Sequence, residues 1–395
     1  MLVIVIFFWL SVLLVLHSYL FFPFLLSLLY RLKSKYFSAQ HYAESAVQVS
    51  ILMAAYNEEA VIEQKIESIF QSHYPHELLE VWVGSDNSTD ATNTILQNLK
   101  QKYPQLYPVF FNERKGKINI INQLAQKANS EILIITDANV IFDKNTINQL
   151  CLSIFNENVG LVDTRMMHSG ITDDGISKQE NFYISNEVKI KYYEGQLWGT
   201  MMGPFGGCYA VRKNLFKPVP ENFLVDDFFI NMQVLVQGYK AINNPQAIVI
   251  EDVSNNLKHE FKRKIRIATG NFQNLRYFLP FTIKNLFKPV GFCFLSHKII
   301  RWFTPIIMLF AFFALTVLAF NNISLYFFLW LVSLALIIIV LFERLLSQIN
   351  INIKILRLTT HFFYMNLALL IGFFRFLKGV KSSIWTPTPR LQSEK

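Results

Sequence analysis

Several short stretches of this 395-residue chain carry residue types that can do chemistry. Asp137-Ala138-Asn139 directly follows the apolar run Ile132-Leu133-Ile134-Ile135, so two oxygen ligands one residue apart stand where a strand would end. Hard oxygen ligands suit Mg²⁺ or Mn²⁺, ions that neutralise a diphosphate leaving group. Arg114-Lys115-Gly116-Lys117 offers cations for phosphates, although exposed basic runs are usually solvated faces. Asp226-Asp227 opens a helical stretch from Phe228 to Gln237 that stops at Gly238. Paired carboxylates can keep one of the two poised as a base, whereas plain helix-start charges would add only about 0.3–1 kcal/mol of stability each. Adjacent helical residues face different ways, which predicts Asp227 at the reacting group and Asp226 on another face, orienting the acceptor or its loop.

Two further polar clusters each follow an apolar run: Ala55-Tyr56-Asn57-Glu58-Glu59, and Gly84-Ser85-Asp86-Asn87-Ser88-Thr89-Asp90. Singly, they read equally as a capped helix start and an Asx turn. Taken together they offer the acceptors that a base and ribose need. Gly203-Pro204-Phe205-Gly206-Gly207 is too glycine-rich for a helix and permits close backbone approach to a ligand, or is a plain loop.

The elements that must position these residues are an alternation of short β-rich runs and helical stretches between Gln48 and about Ile250. That order predicts an α/β fold with a mostly parallel sheet covered by helices. The runs are Val49 to Ala54, Leu79 to Val83, Val109 to Phe111, Ile132 to Thr136, Gly160 to Arg165 and Ala247 to Ile250. Ligands of such sheets bind beyond the C-terminal strand ends, where three of the polar clusters lie. The repeated heptapeptide Lys-Asn-Leu-Phe-Lys-Pro-Val, at 213–219 and 284–290, is too short for a repeat architecture.

Composition places part of the chain in lipid. Hydrophobic residues make up 52%, charged residues only 16%, and Phe occurs 37 times, too apolar for an ordinary soluble domain. Residues 1–30 carry no Lys, Arg, Asp or Glu and are long enough to span a bilayer, with no basic leader or small-residue cleavage site to make them a signal peptide. Trp302 to Phe342 reads as a hairpin of two spans, and Phe362 to Phe374 as a segment too short to cross, lying in the interface or re-entering. Arg31, Lys33 and Lys35 after the first span put the middle of the chain in the cytosol, and Lys378, Lys381 and Arg390 favour a cytosolic tail. Lys258 to Arg301 holds ten Lys or Arg against the single acid Glu260, a block suited to an anionic membrane face rather than to nucleic acid. Cys151, Cys208 and Cys293 have no paired spacing and indicate neither disulfides nor zinc.

The order of these clusters over Val47 to Gly270 resembles the family-two glycosyltransferases of the GT-A fold, in the membrane-integrated branch of cellulose, hyaluronan and poly-N-acetylglucosamine synthases. The resemblance implies that Ala54, Tyr56 and Glu58 line a uridine pocket with Asp86 near the uracil. It implies that Lys117 and Asn122 match the family's lysine-to-asparagine signature near the nucleotide. Asp137 matches the first Asp of the metal motif, and Asn139 stands where a second Asp is common. Gly206 and Gly207 belong to the acceptor-side loop, Asp226 takes the Glu position of a Glu-Asp pair, and Asp227 is the implied general base. Arg263-Lys264-Ile265-Arg266-Ile267 replaces Gln-x-x-Arg-Trp, keeping Arg266 as a diphosphate contact but losing the aromatic acceptor platform, which predicts short or single additions.

The expected organisation is an N-terminal span (1–30), a GT-A catalytic domain (47–270), a basic interfacial segment (271–301), membrane helices (302–377) and a basic tail (378–395). The expected activity is inverting transfer of a sugar from a UDP-linked donor to a hydroxyl of a glycan or lipid-linked acceptor, with Mg²⁺ or Mn²⁺. It would serve exopolysaccharide or cell-envelope glycan synthesis at the cytosolic face of the plasma membrane. A polyprenyl-phosphate glycosyltransferase is the nearest rival, followed by a transporter or a nucleotide-sugar sensor.

Overall fold

The β-rich runs pair into one eight-stranded sheet, and their C-terminal ends bring the polar clusters together. The structure is a computed structural model and describes residues 1–33, 46–169, 177–252, 257–321, 324–348, 353–380 and 382. Helices α1 (Leu2–Leu16) and α2 (Phe22–Lys33) run on from one another through a π-helical turn at His17–Phe21. Then come β1 (Val49–Ala55), α3 (Ile62–Phe70), β2 (Leu79–Asp86), α4 (Thr92–Lys102), β3 (Leu106–Phe111), α5 (Lys117–Lys127), β4 (Ile132–Asp137) and β5 (Val140–Phe142). The sheet is completed through α6 (Thr146–Ile154), β6 (Val159–Ser169), α7 (Ser177–Trp198), β7 (Cys208–Arg212), α8 (Asp226–Val236) and β8 (Lys240–Asp252). The remaining helices are α9 (Leu257–Lys284), α10 (Pro289–Cys293), α11 (Ile300–Ala319), α12 (Ser324–Gln348) and α13 (Lys354–Leu377).

The strand order is β3-β2-β1-β4-β7-β6-β8-β5. The first four strands are parallel, so β1 is flanked by β2 on one side and β4 on the other. The order reverses at the β1/β4 seam, and a crevice opens there beyond the strand ends, where such sheets bind ligands. Ala54 is in register with both Gly84 and Asp137. Continuous burial along β1 and β4 explains their unbroken apolar runs, since helices cover both faces. The six runs recognised in the sequence are all strands, extended by one to several residues. Two strands were not foreseen: β5, three residues long, and β7, which enters antiparallel between β4 and β6. The two Lys-Asn-Leu-Phe-Lys-Pro-Val copies have unlike surroundings, a short turn with buried Leu215 and the junction of α9 with α10.

Three helical stretches are long and apolar enough to cross a membrane: Leu2–Lys33, Pro289–Ala319 and Leu356–Leu377, with a shorter apolar stretch at Ser324–Val340. This corrects two expectations. The segment around Phe362 to Phe374 belongs to the 24-residue α13, whose 22-residue apolar part reaches about 33 Å at 1.5 Å per residue, enough for the hydrocarbon core. The apolar stretch expected to begin at Trp302 begins at Pro289, so the end of the basic block, Lys298 and Arg301, lies within it. The tail signals Lys381 and Arg390 lie outside the described residues. The N- and C-terminal apolar helices form one bundle, with Phe8 of α1 packed on Leu315 and Leu318 of α11 and Tyr326 of α12.

A second π-helical turn, Phe294–Ile299, faces the first. Such turns release backbone carbonyls, which need partners away from water. Ser18 Oγ donates to the Ser296 carbonyl at 2.7 Å, and Arg301 donates to the Ser18 carbonyl at 3.2 Å. Below them, Glu187 of α7 accepts from Arg301 at 2.9 Å, pairs with Lys298, and stands 2.9 Å from Nε2 of the buried His297, whose Nδ1 is 2.8 Å from Glu194. Burial opposes the Glu187 charge, but His297, Lys298 and Arg301 hold its carboxyl well below the usual range. This cluster fastens α7, and with it the rim of the sheet, to the apolar helix that starts at Pro289.

Candidate active site

The loop after β1 and the loop after β2 interlock. Asn57, in a left-handed conformation (φ 52°), accepts from the Thr89 N–H at 2.9 Å, the Glu58 N–H donates to Thr92, and the Ala91 N–H donates to Glu59 at 2.8 Å. Asn57 and Glu58 line a cavity of about 1710 Å³ at the β1/β4 seam, as do Ala54, Asp137 and Asn139. Asp86 and Tyr56 sit behind that lining. The fully buried Asp86 accepts from the Lys115 and Gly116 N–H groups at 2.6 and 3.1 Å and from Arg114 at 3.0 Å, and Arg114 stacks 3.3 Å over the Tyr56 ring. Asp86 thereby anchors the loop that starts α5 at Lys117.

Lys117 is the hub of the site. Its Nζ lies 2.7 Å from Asp137 Oδ1 and 3.6 Å from Asp226 Oδ2, joining the end of β4 to the start of α8 across 89 residues of sequence. Burial disfavours its charge, yet Asp137 and then Asp226 hold the ammonium above the ordinary lysine range. Asn122, one turn further along α5, stands outside the cavity lining. Its amide donates to the Val219 carbonyl at 2.8 Å and accepts from the Val219 N–H at 3.0 Å, clamping the loop that delivers α8.

Asp226 and Asp227 both line the cavity, although they were expected to face different ways. They are the first two residues of α8, after an extended Val225, and there the chain still turns enough for both carboxylates to reach inward. Burial first, and the adjacent Asp226 second, push the Asp227 carboxyl up to about 6 against the pull of Lys117. Gly206, with φ 87°, lies against it: a Cβ there would stand 2.5 Å from Asp227 Oδ2. The Gly207 carbonyl accepts from the Asp137 N–H at 2.9 Å, so the glycine loop, carried in by β7, touches Asp137 as well as Asp227. Arg266 of α9 closes the far wall and donates to the Leu224 carbonyl at 3.3 Å.

Sequence reasoning missed two lysines. Lys65 is fully buried under the strand ends, donating to Thr136 Oγ1 at 3.0 Å and to the Val140 carbonyl, and burial pulls it down to about 7. Its place in the stripe Ile62, Ile66, Ile69 could have revealed a lysine on a core-facing side. Lys191 of α7 lines the cavity and nothing local marks it.

Among the described residues no three His, Cys, Asp or Glu side chains converge as a metal site. The residues present nonetheless fit a hard cation. Asp137 faces the cavity, Asn139 is beside it with its amide on Glu251 at 3.2 Å, and buried Asp226 Oδ2 makes no hydrogen bond. Mg²⁺ sites of this kind take one or two carboxylates and complete their shell with substrate phosphates and water.

A parallel-sheet crevice with a lysine bridging two acids and backed by a glycine loop is the frame of a group-transfer enzyme, and the long apolar helices beside it are candidate membrane spans. Residues 50–219 match the family model "Glycosyl transferase family 2" and residues 179–343 match "Glycosyl transferase family group 2". Each match covers somewhat less than half of the chain, and they identify its sheet domain as a family-two glycosyltransferase domain. It is 26% identical over 235 residues to the Probable glycosyltransferase YdaM of Bacillus subtilis (strain 168), covering 57% of this chain and 55% of that protein. It is 35% identical over 105 residues to the Beta-monoglucosyldiacylglycerol synthase of Synechocystis sp. (strain ATCC 27184 / PCC 6803 / Kazusa), covering 26% of this chain and 22% of that one. The chain thus spans about half the length, or less, of these relatives. The structure of the Mannosyltransferase PcManGT from Pyrobaculum calidifontis in complex with GDP-Man and Mn2+ superposes with a TM-score of 0.69 at 22% identity, covering 94% of this chain and 99% of that one. That likeness establishes the shared fold.

Proposed function

We propose that the chain is an inverting glycosyltransferase that moves a sugar from a UDP-linked donor to an acceptor hydroxyl at the cytosolic face of the plasma membrane, in cell-envelope glycan or exopolysaccharide synthesis. The observation that carries the reading is Lys117 held between Asp137 and Asp226 beside an Asp227 carboxyl raised to about 6, all in one cavity. Ala54 and Glu58 bind the nucleoside, with Tyr56 and Asp86 supporting that wall from behind. Lys117 and Arg266 meet the diphosphate. Asp137 and Asn139 would hold the Mg²⁺ or Mn²⁺, which supplies charge neutralisation for the leaving group. The GDP-mannose and Mn²⁺ in the Pyrobaculum structure support a nucleoside-diphosphate sugar and a divalent ion as the general requirement.

Asp227 takes the proton of the acceptor hydroxyl as that oxygen attacks the anomeric carbon from the side opposite the diphosphate. A carboxylate with a pKa near the working pH suits this task, because it is ionised yet basic enough to accept a proton. Asp226 and Gly206 fix its orientation, and Asn122 holds the loop that delivers it. Ile267 in place of an aromatic platform supports short or single additions. The test is incubation of the purified chain with a panel of radiolabelled nucleotide sugars, with and without membrane lipids. Metal-dependent label transfer supports the reading, and donor binding without turnover would replace it with a sensor.

A further inference from the structure

The turn that carries Asp137 and Asn139 joins two strands from distant places in the sheet. β4 lies between β1 and β7, whereas β5 is an edge strand bonded to β8. Only Ala138 and Asn139 separate the two in sequence. Among the described residues no ladder runs between β4 and β5, so strand pairing does not fix how far apart the two oxygen-bearing side chains of the turn stand. Whatever packs beneath the turn has that task.

Lys65 of α3 lies there. Its Nζ donates to Thr136 Oγ1 at 3.0 Å and to the Val140 carbonyl, the residues immediately before Asp137 and after Asn139. A third contact is the Phe142 ring of β5, with Nζ 3.6 Å from its centre. One side chain thus grips both flanks of the turn. Its reach extends to the base side of the site as well. Thr136 Oγ1 donates to the Gly207 carbonyl at 3.0 Å, the same carbonyl that accepts from the Asp137 N–H. Gly206, one residue earlier in that loop, lies against Asp227.

Packing alone does not call for a lysine at this position. It is fully buried in line with Ile62, Ile66 and Ile69, where an apolar side chain would fill the space without the cost of burying an amine. Asp137 is the carboxylate whose charge acts on it. Lys65 stands behind the cavity wall and does not line it, so it acts on substrate only through the residues it holds.

We propose that Lys65 is a positioning residue for the transfer: by holding Thr136 and Val140 it keeps the Asp137-Ala138-Asn139 turn in the shape that receives the divalent ion, and through Thr136 it ties that turn to the glycine loop. This rests on the reading of Asp137 and Asn139 as ligands of the ion. Groups that orient metal ligands from behind typically account for about 10–100-fold in metal affinity.

The experiment uses the full chain in lipid nanodiscs, with Mn²⁺ and UDP as probes. Bound Mn²⁺ is read from the loss of the free-ion electron paramagnetic resonance signal in the presence of UDP, corrected for the ion that UDP holds by itself. The second readout is the donor KM at saturating Mn²⁺, with the donor that the panel identifies. K65M keeps the length of the side chain and removes the donor; T136V keeps the shape and removes the hydroxyl, which T136S retains. K65M should weaken Mn²⁺ binding at least tenfold and T136V at least threefold, with T136S within twofold of wild type and the donor KM at saturating Mn²⁺ changed less than threefold throughout. Mn²⁺ binding by folded K65M within twofold of wild type overturns the inference and leaves the metal reading intact. So does equal weakening by T136V and T136S, a comparison that stands even if K65M fails to fold. A donor KM that rises as much as the Mn²⁺ affinity falls also overturns it, because general loss of structure would then be the cause. Failure of the wild-type chain to bind Mn²⁺ beyond the UDP background overturns the metal reading and the inference together.

Discussion

Replacing Asp227 by Asn removes the proposed base while keeping the shape and the first-turn position on α8. A positioned general base contributes about 10²–10⁴-fold in rate, so D227N should lose two or more orders of magnitude in transfer while donor binding stays near parental. The pH profile makes the test sharper. A base whose pKa is about 6 is roughly nine-tenths ionised at pH 7 and one-tenth ionised at pH 5, so kcat/KM should fall about tenfold over that interval. An unperturbed carboxyl near 3.9 would stay about nine-tenths ionised at pH 5, and the profile would be flat. The sign is fixed by the cause: burial and the Asp226 carboxylate raise the Asp227 pKa, so activity is present above it and lost as pH falls through it. The assay is initial-rate transfer of radiolabelled sugar between pH 5 and 8, with circular dichroism confirming that D227N is folded. Near-parental transfer by folded D227N, or a flat wild-type profile between pH 5 and 7, would refute the assignment and favour an acceptor that is already ionised.

Three other outcomes follow from the same geometry. D137A frees Lys117 from its 2.7 Å partner and removes the carboxylate proposed for the ion, so activity should be lost, and wild-type activity should vanish in chelator and return with Mn²⁺ or Mg²⁺; a D137A enzyme active in chelator would contradict this. G206A puts a Cβ 2.5 Å from Asp227 Oδ2 at a φ of 87°, with strain of about 1–3 kcal/mol, and should lower kcat at least tenfold with little change in donor affinity measured by calorimetry. E187A removes the carboxylate that Lys298, His297 and Arg301 share, leaving His297 only Glu194, and should destabilise the protein by about 3–5 kcal/mol, read as a lowered thermal midpoint in detergent; an unchanged midpoint would mean the cluster does not hold α7 to the apolar helix.

Much of this protein could be read from the chain alone because the signals are local. An apolar run followed at once by a polar cluster marks a strand end, and that puts Asn57, Glu58 and Asp137 at the crevice without any knowledge of the fold, while Asp86 stands behind its wall as a loop anchor. Uncharged stretches of membrane length, with basic residues after the first, are equally local. What tertiary structure decided is everything that depends on residues far apart in sequence. β7 slips antiparallel between β4 and β6, and only that insertion brings Gly206 and Gly207 onto Asp227 and Asp137. Lys117 looked like part of a basic run, and only packing shows it joining Asp137 to Asp226. Asn122 matched a nucleotide signature by spacing, yet its amide is fully engaged with Val219, because the same residue type serves a loop clamp as well as a ligand. Lys191 and the Glu187 cluster carry no pattern at all: burial sets the electrostatic character of a charge, and burial is settled by which helices come to lie over it.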